Sequence, residues 1–402
     1  MGLPRRLASA AYPSREDPMP DGLSPLTRAT RAGLDWDSQH HAVVPPIYLS
    51  TTYRFPRLGE SPGHEYGRTS NPTRSLLADT LAELEGGAGA VVTASGMAAV
   101  TTVVHAVVPP GSLVAIPHDP YGGSWRLFDA LARTSRLRLR LVDFTDLAGL
   151  EELWQDEPSL VWLESPSNPL LRITDLAAVS DAAHRAGALV AVDNTFLSPA
   201  LQRPIGLGAD IVVHSSTKYL NGHSDVLGGA AVAASSHTAE GLVWWANCLG
   251  TSGSPFDAYQ TLRGLRTLGA RTRAHSENAQ AVAELLAQHP AVRRTHYPGL
   301  PDHPGHDLAR RQQAGFGGML SFELADREAV DRALDGLRCF SLAESLGGVE
   351  SLICHPATMT HAAMPPEVQQ AAGITPGLLR VSVGIEQTED LLADLRCALD
   401  RA

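Results

Sequence analysis

Lysine is almost missing from this sequence: of 32 basic residues only Lys218 is a lysine, and the other 31 are arginine. Cysteine is scarce too. Cys248, Cys339, Cys354 and Cys397 form no CxxC pair and no zinc spacing, which argues against a disulfide framework or a zinc module. They read instead as small buried side chains in a reducing cytoplasm. No apolar run reaches the roughly 18 residues that a membrane helix needs. No long basic run is present either, and a net charge of −11 with a pI near 5.8 argues against a general nucleic-acid surface. The sixteen histidines include no HExxH pair, and "HPGH" sits in a Pro/Gly turn, so no metal site is expected. The N-terminal segment carries an arginine pair without an apolar core, so it does not read as a signal peptide. Its five prolines before residue 26 predict a flexible or extended tail over residues 1–26.

What is present is an alternation of helix and strand. "NPTRSLLADTLAELEGG" predicts a helix: Pro72 suits the first turn, Leu77, Leu81 and Leu84 share a face, and Gly86-Gly87 stops it. The short apolar runs "AVVTAS", "SLVAIPH", "SLVWLES", "ALVAVDN", "DIVVHSS" and "GGAAVAAS" read as strands buried on both faces. Helix-like segments such as "TDLAAVSDAAHRAG" separate most of them, which predicts a mainly parallel sheet covered on both sides. From residue 257 a long helix, with room for a kink, is expected to bridge to a smaller α+β domain. That domain would hold strands at "GGMLSFEL" and "LLRVSVGI" and helices at "REAVDRALDGL" and "TEDLLADLRCALDRA".

The single lysine sits in "HSSTKYLNGHSD", just past a strand end, where open α/β sheets place their ligands. A lysine amine can lose its proton and attack a carbonyl, whereas a guanidinium stays charged. A chance survivor on the surface is the alternative, and the neighbours favour chemistry. Asp193 ends the buried run "VAVDNT", where a carboxylate needs a cationic or hydrogen-bonded partner; a helix cap or turn is its ordinary alternative. Ser95-Gly96 lies between a strand and a helix and could serve an anion through free amides, although a lone "SGM" is a weak signal. Tyr121 offers a flat ring, Asn168 ends another strand, and Ser215 and Thr217 flank the lysine with hydroxyls. Imine lysine, aspartate, phosphate cradle and stacking ring are the parts a pyridoxal phosphate enzyme needs.

From about residue 27 to its end the chain resembles the Cys/Met-metabolism family of pyridoxal phosphate enzymes. The resemblance rests on "VVPPIYLSTTY", "EYGRTSNPTR", "SGMAAV", "PYGGSWRLFDAL", "ESPSNPLLRITD", "AVDNTFLSPALQ", "HSSTKYLNGHSDV", "RGLRTL" and "LAESLGGVESL". It implies pyridoxal phosphate transferase fold type I, the aspartate-aminotransferase-like fold. It further implies an arm over residues 27–75 that contacts a neighbouring subunit, a cofactor-binding domain over 76–265 and a C-terminal domain over 266–402. By this resemblance Lys218 would form the imine with pyridoxal 5'-phosphate and shuttle protons, Asp193 would pair with the pyridinium, and Tyr121 would stack on the ring. Gly96, Met97, Ser215 and Thr217 would hold the phosphate, joined by Tyr66 and Arg68 reaching in from a neighbouring subunit. That arrangement implies a dimer of shared active sites, doubled into a tetramer. Arg380 would clamp the substrate carboxylate, with Ser345 and Asn168 positioning substrate and cofactor, and Glu344, Arg126 and Asn247 facing its distal part. Surface arginines at 68 and 126, a turn at Asn168 and a cap at Glu344 are the plainer alternatives.

Within the family, "WWANCLG", "FLSPALQ" and "HPATMTHAAMPPE" are most similar to the bacterial cystathionine γ-synthases. The implied reaction is γ-replacement: an O-succinyl- or O-acetyl-homoserine and cysteine give cystathionine and the free acid. Gly123 stands where methionine γ-lyases carry a cysteine, whereas Glu65 in "EYGRT" is closer to γ-lyase usage, and Thr69 there replaces a second arginine that could meet a succinyl carboxylate, which leaves the acyl group open between succinyl and acetyl. A cystathionine γ-lyase or a homoserine-ester sulfhydrylase is therefore the alternative enzyme. A metabolite-binding relative without catalysis is the alternative outside enzymes.

Overall fold

The computed structural model describes residues 22–402. Most of the tail expected over residues 1–26 lies outside the described residues, and a short helix, Pro25–Thr30, opens the described chain. Seven strands form the first sheet: β1 (Gly89–Thr93), β2 (Leu113–Pro117), β3 (Arg138–Val142), β4 (Leu160–Glu164), β5 (Leu189–Asp193), β6 (Ile211–His214) and β7 (Gly229–Ala233). Their spatial order is β1-β7-β6-β5-β4-β2-β3. Pairs β2–β3, β2–β4, β4–β5 and β5–β6 are parallel, and β7 runs against both of its neighbours.

The continuous apolar runs are explained by what each face packs on. Along β4, Leu160 and Trp162 enter one core and Val161 and Leu163 the other. The same alternation holds in β5, β6 and β7. One core takes Val100, Val103 and Phe128 from the helices Gly96–Val107 and Gly122–Arg133. The opposite core takes Leu77, Leu81, Leu176 and Val179. Each fully buried side chain of this size is worth roughly 1.5–3 kcal/mol, so both faces must be apolar for the sheet to sit between two helical layers.

Strand β3 was not among the expected strands. Its sequence, RLRLV, alternates arginine with leucine, which fits an edge strand open to water on one side. Arg140 there is ion-paired with Glu152 and Asp156, keeping the edge charged.

The second sheet holds β8 (Arg294–His296), β9 (Met319–Glu323), β10 (Ser341–Leu342), β11 (Leu352–Cys354) and β12 (Leu378–Ser382), in the order β10-β11-β12-β9-β8. The expected bridge is two helices, Pro255–Leu265 and Leu268–Gln288. The break has a local cause. The Gly264 carbonyl accepts from the Thr267 amide and hydroxyl and from Arg271 Nη2 at 2.8 Å. Gly264 also lies so close to the loop after Lys218 that a Cβ would stand 2.2 Å from the Asn221 carbonyl oxygen. Leu320, Phe322, Leu379 and Val381 of the second sheet pack with Val282 and Leu286 of the long helix and Leu391 and Leu395 of the C-terminal one. No helix among the described residues is long and apolar enough to cross a membrane.

Candidate active site

The C-terminal ends of β4, β5 and β6 point to one cavity of about 340 Å³, within the range of small-ligand pockets. Lys218, Tyr121, Asp193, Gly96, Met97, Asn168, Ser215, Thr217, Arg380, Ser345, Glu344 and Arg126 all line it. These residues are spread over more than 280 positions of sequence, from Gly96 to Arg380, and the two sheets bring them together.

Lys218 follows β6, and its Nζ donates to Ser345 Oγ at 2.7 Å. Burial first, and then the Arg380 guanidinium, pull its pKa down to about 8, with Glu344 opposing. Ser345 adopts a left-handed backbone, φ 85°, which costs a non-glycine residue roughly 1–3 kcal/mol. Arg380 enters from β12 and is 3% exposed. It donates to Asn168 Oδ1 at 2.9 Å and to the Ser345 carbonyl at 3.1 Å. A guanidinium carries five N–H donors, so others stay open to a carboxylate.

Asp193 closes β5. The Thr195 amide donates to its Oδ1 at 2.9 Å, and no basic side chain among the described residues forms an ion pair with it. Burial pushes its carboxyl upward, opposed by the Thr195 hydrogen bonds and by His214. Thr195 also accepts the Ser215 amide on its hydroxyl at 2.9 Å, tying the ends of β5 and β6 together.

Ser95 caps the helix Gly96–Val107 by accepting from the Ala98 amide at 3.1 Å, so the Gly96 and Met97 amides have no intrahelical partner. A Cβ on Gly96 would stand 2.8 Å from that of Ser215, so only glycine lets this turn approach the lysine loop. The Thr217 hydroxyl donates to the Gly228 carbonyl at 3.2 Å and accepts from the Gly228 amide at 3.0 Å. Tyr121 precedes the helix Gly122–Arg133, with its ring partly exposed toward the cavity. A Cβ on Gly123 would lie 2.4 Å from that ring, which accounts for the glycine there.

Pyridoxal phosphate fits these residues. The helix start with its free amides and the Gly96–Ser215 approach suit a phosphate. A partly buried carboxylate without a basic partner suits a protonated ring nitrogen. An amine held inside the cavity suits an aldehyde.

Tyr66, Arg68 and Asn247 do not line this cavity. Arg68 Nε donates to Asn247 Oδ1 at 3.1 Å, Thr69 Oγ1 donates to the same oxygen at 3.3 Å, and the Arg68 guanidinium lies 5.6 Å from the Tyr66 ring centroid. They form an exposed corner of their own.

The family described as Cys/Met metabolism PLP-dependent enzyme matches residues 26–400. The chain belongs to this family. Like other Cys/Met metabolism enzymes, it is a pyridoxal phosphate enzyme with a fold type I architecture. It is 54% identical over 370 residues to the cystathionine gamma-synthase of Escherichia coli (strain K12), covering 92% of this chain and 96% of that one. It is 45% identical over 374 residues to the cystathionine gamma-lyase of Bacillus subtilis (strain 168), covering 93% and 98%. A crystal structure of cystathionine gamma synthase from Xanthomonas oryzae pv. oryzae, in complex with aminoacrylate and cysteine, superposes with a TM-score of 0.93 at 58% identity, covering 94% and 98%.

Sequence reasoning passed over several residues of this Cys/Met metabolism site. Glu164, Thr195, Phe196, Met359 and Thr360 line the cavity as well. Glu164 could have been found by the rule that found Asp193, since it too ends a buried run. Asp119 was also passed over. It is buried, accepts from Ser167 Oγ at 2.6 Å and lies 3.3 Å from Arg172 Nη1, which locks the Tyr121 and Asn168 loops together.

Proposed function

We propose that this chain catalyses a pyridoxal phosphate-dependent γ-replacement: O-succinyl-L-homoserine, or its acetyl counterpart, and L-cysteine give L-cystathionine and the free acid. Such a reaction belongs to methionine biosynthesis. The observation that carries the reading is the only lysine of the sequence, its amine held by Ser345 in a cavity shared with Asp193 and Arg380. Likeness to cystathionine gamma-synthases at 54% and 58%, against 45% and 46% for a γ-lyase and a β-lyase, supports replacement over cleavage. In balance, the Cγ–O bond of the ester breaks, a Cγ–S bond forms, and the thiol proton leaves with the carboxylic acid.

When bound, pyridoxal phosphate supplies a ring that withdraws electrons from the reacting carbons. Asp193 would hold the ring nitrogen, and Gly96, Met97, Ser215 and Thr217 the phosphate. Tyr121 would cover one ring face. Arg380 would grip the substrate carboxylate while Asn168 and Ser345 hold its guanidinium in place. Lys218 would accept and return protons at Nζ. Its lowered pKa means that a useful fraction is neutral, hence basic, near pH 8, where an ordinary lysine would be almost wholly protonated. Glu344 and Arg126 would face the distal part of the ester.

Tyr66 and Arg68, with Asn247 bracing Arg68, would complete the phosphate site of a neighbouring copy. On this reading the chain works in the cytoplasm as dimers that share active sites, paired into a tetramer. The arm would be residues 27–75, followed by domains over 76–265 and 266–402. The test is a substrate panel on purified protein, with succinyl- and acetyl-homoserine, each with cysteine or sulfide, set against cystathionine cleavage. Synthesis with cysteine is expected to be fastest. Cystathionine breakdown faster than synthesis overturns the reading in favour of a lyase.

A further inference from the structure

Tyr121 has a non-helical backbone at the start of the helix Gly122–Arg133, and no side chain of its own segment caps that helix. Its amide instead donates to Glu164 Oε2 at 2.8 Å, a residue 43 positions away at the end of β4. The other carboxyl oxygen accepts from Trp162 Nε1 at 3.4 Å. Glu164 is 5% exposed and lines the cavity. No ion pair reaches it among the described residues. In the β4–β5 register it lies directly opposite Asp193, so a buried and a partly buried carboxyl stand side by side at the C-terminal end of the strands.

Two ionised carboxylates in that arrangement would repel strongly, so the pair divides the roles. Asp193 receives two stabilising contacts from Thr195 and the field of His214. Burial, and then the Asp193 charge, push Glu164 well above the usual carboxylate range, while the Thr195 contacts and His214 oppose the rise at Asp193. A neutral carboxyl still accepts the Tyr121 amide through its remaining lone pairs.

We propose that Glu164 is a positioning residue that sets the Tyr121 ring over the cofactor by holding the Tyr121 amide. The inference rests on the role proposed above for Tyr121. The geometry supports a narrow tolerance. The ring lies against Gly123, where even one added methyl carbon would collide, so on that side the ring cannot move with a shifted backbone.

The test compares Glu164→Ala, Glu164→Gln and Tyr121→Ala as purified holoenzymes, reading visible circular dichroism of the bound cofactor, the dissociation constant for pyridoxal phosphate, and kcat and KM separately. Loss of one buried hydrogen bond predicts a roughly tenfold weaker cofactor affinity for Glu164→Ala. Its ellipticity is expected to fall and its loss to appear in kcat rather than KM. Glu164→Gln, which can accept the same amide without adding charge, is expected to return every reading to within about twofold of the natural enzyme. Wild-type ellipticity and affinity in Glu164→Ala overturn the proposal, as does a Glu164→Gln enzyme as impaired as the alanine variant. If Glu164→Ala does not fold, Glu164→Asp withdraws the carboxyl by one methylene, and unchanged ellipticity there is equally fatal. Tyr121→Ala separates the two ideas: unchanged ellipticity in that variant removes the Tyr121 role itself, whatever Glu164 does.

Discussion

The cavity floor and the Tyr66–Arg68–Asn247 corner are built on opposite principles. On the floor, Asn168 and Arg380 are buried, at 4% and 3% exposure, and their polar groups bond across 212 positions of sequence. Low dielectric and fixed partners hold them to one geometry. In the corner, Tyr66 is half exposed, and Arg68 and Asn247 are held mainly by each other. Exposed Val43, Leu49 and Leu58 lie on the same segment as Tyr66. Monomeric proteins seldom leave so many large apolar side chains open along one segment. Most of the candidate site residues thus converge within the chain, and Tyr66, Arg68 and Asn247 stand apart from the cavity. The difference teaches that residues of one motif set need not converge on one cavity within their own chain.

The comparison breaks most sharply at Lys218. Lys218→Arg keeps a cationic side chain and removes the only side-chain amine, and turnover should fall by roughly 10³-fold or more. Hydride trapping followed by mass spectrometry should find the cofactor adduct at position 218 in the natural enzyme and none in the variant. Retained turnover would overthrow the proposed chemistry. Next comes complementation. Lys218→Arg and Arg68→Ala are each expected to be impaired, Arg68→Ala by about tenfold to a hundredfold in cofactor affinity through loss of a charged hydrogen bond. If the corner serves a neighbour, mixing the two variants restores activity, because some sites then draw both good residues from different chains. No recovery after subunit exchange would place the corner outside any shared site.

A milder probe is pH. In the cofactor-free protein, the rate at which Lys218 condenses with pyridoxal should rise with pH and level off through about 8, since burial lowers the pKa and so favours the neutral amine. A rise continuing toward the ordinary 10.5 would mean that the amine is solvated rather than desolvated. The smallest effect is expected at Asp119→Asn, which keeps the Ser167 bond but weakens the attraction to Arg172. A stability loss of about 1–3 kcal/mol with kcat changed only a few-fold would fit a brace behind Tyr121 and Asn168. No change in the denaturation midpoint would remove that role.

The strands were legible because a run buried on both faces has to be apolar at every position, whatever its partners are. The edge strand β3 escaped for the opposite reason, since its arginines are the response to having a free side. Lys218 and Asp193 were legible because their chemistry is costly where they stand. Glu164 stands in an equivalent place at the end of β4 and was open to the same reasoning; what the sequence could not show is its partner, the amide of Tyr121, 43 positions away. Asn247 matched a family position but bonds to Arg68 rather than lining the cavity of its own chain. Its place depends on how a helix beside β1 packs on the turn before the helix Pro72–Glu85, which no local pattern encodes.

By itself the sequence determined the alternation of strand and helix, the two-sided burial of the central sheet, and the presence of a single side-chain amine able to attack an aldehyde. These follow from residue chemistry and short-range periodicity. Tertiary structure alone decided that Arg380 is held by Asn168, that Glu164 carries the Tyr121 loop, and that the Arg68 corner points away from the cavity. Those outcomes depend on strand register and on the packing of one sheet beside the other, where shifts of a few ångströms make or break a hydrogen bond.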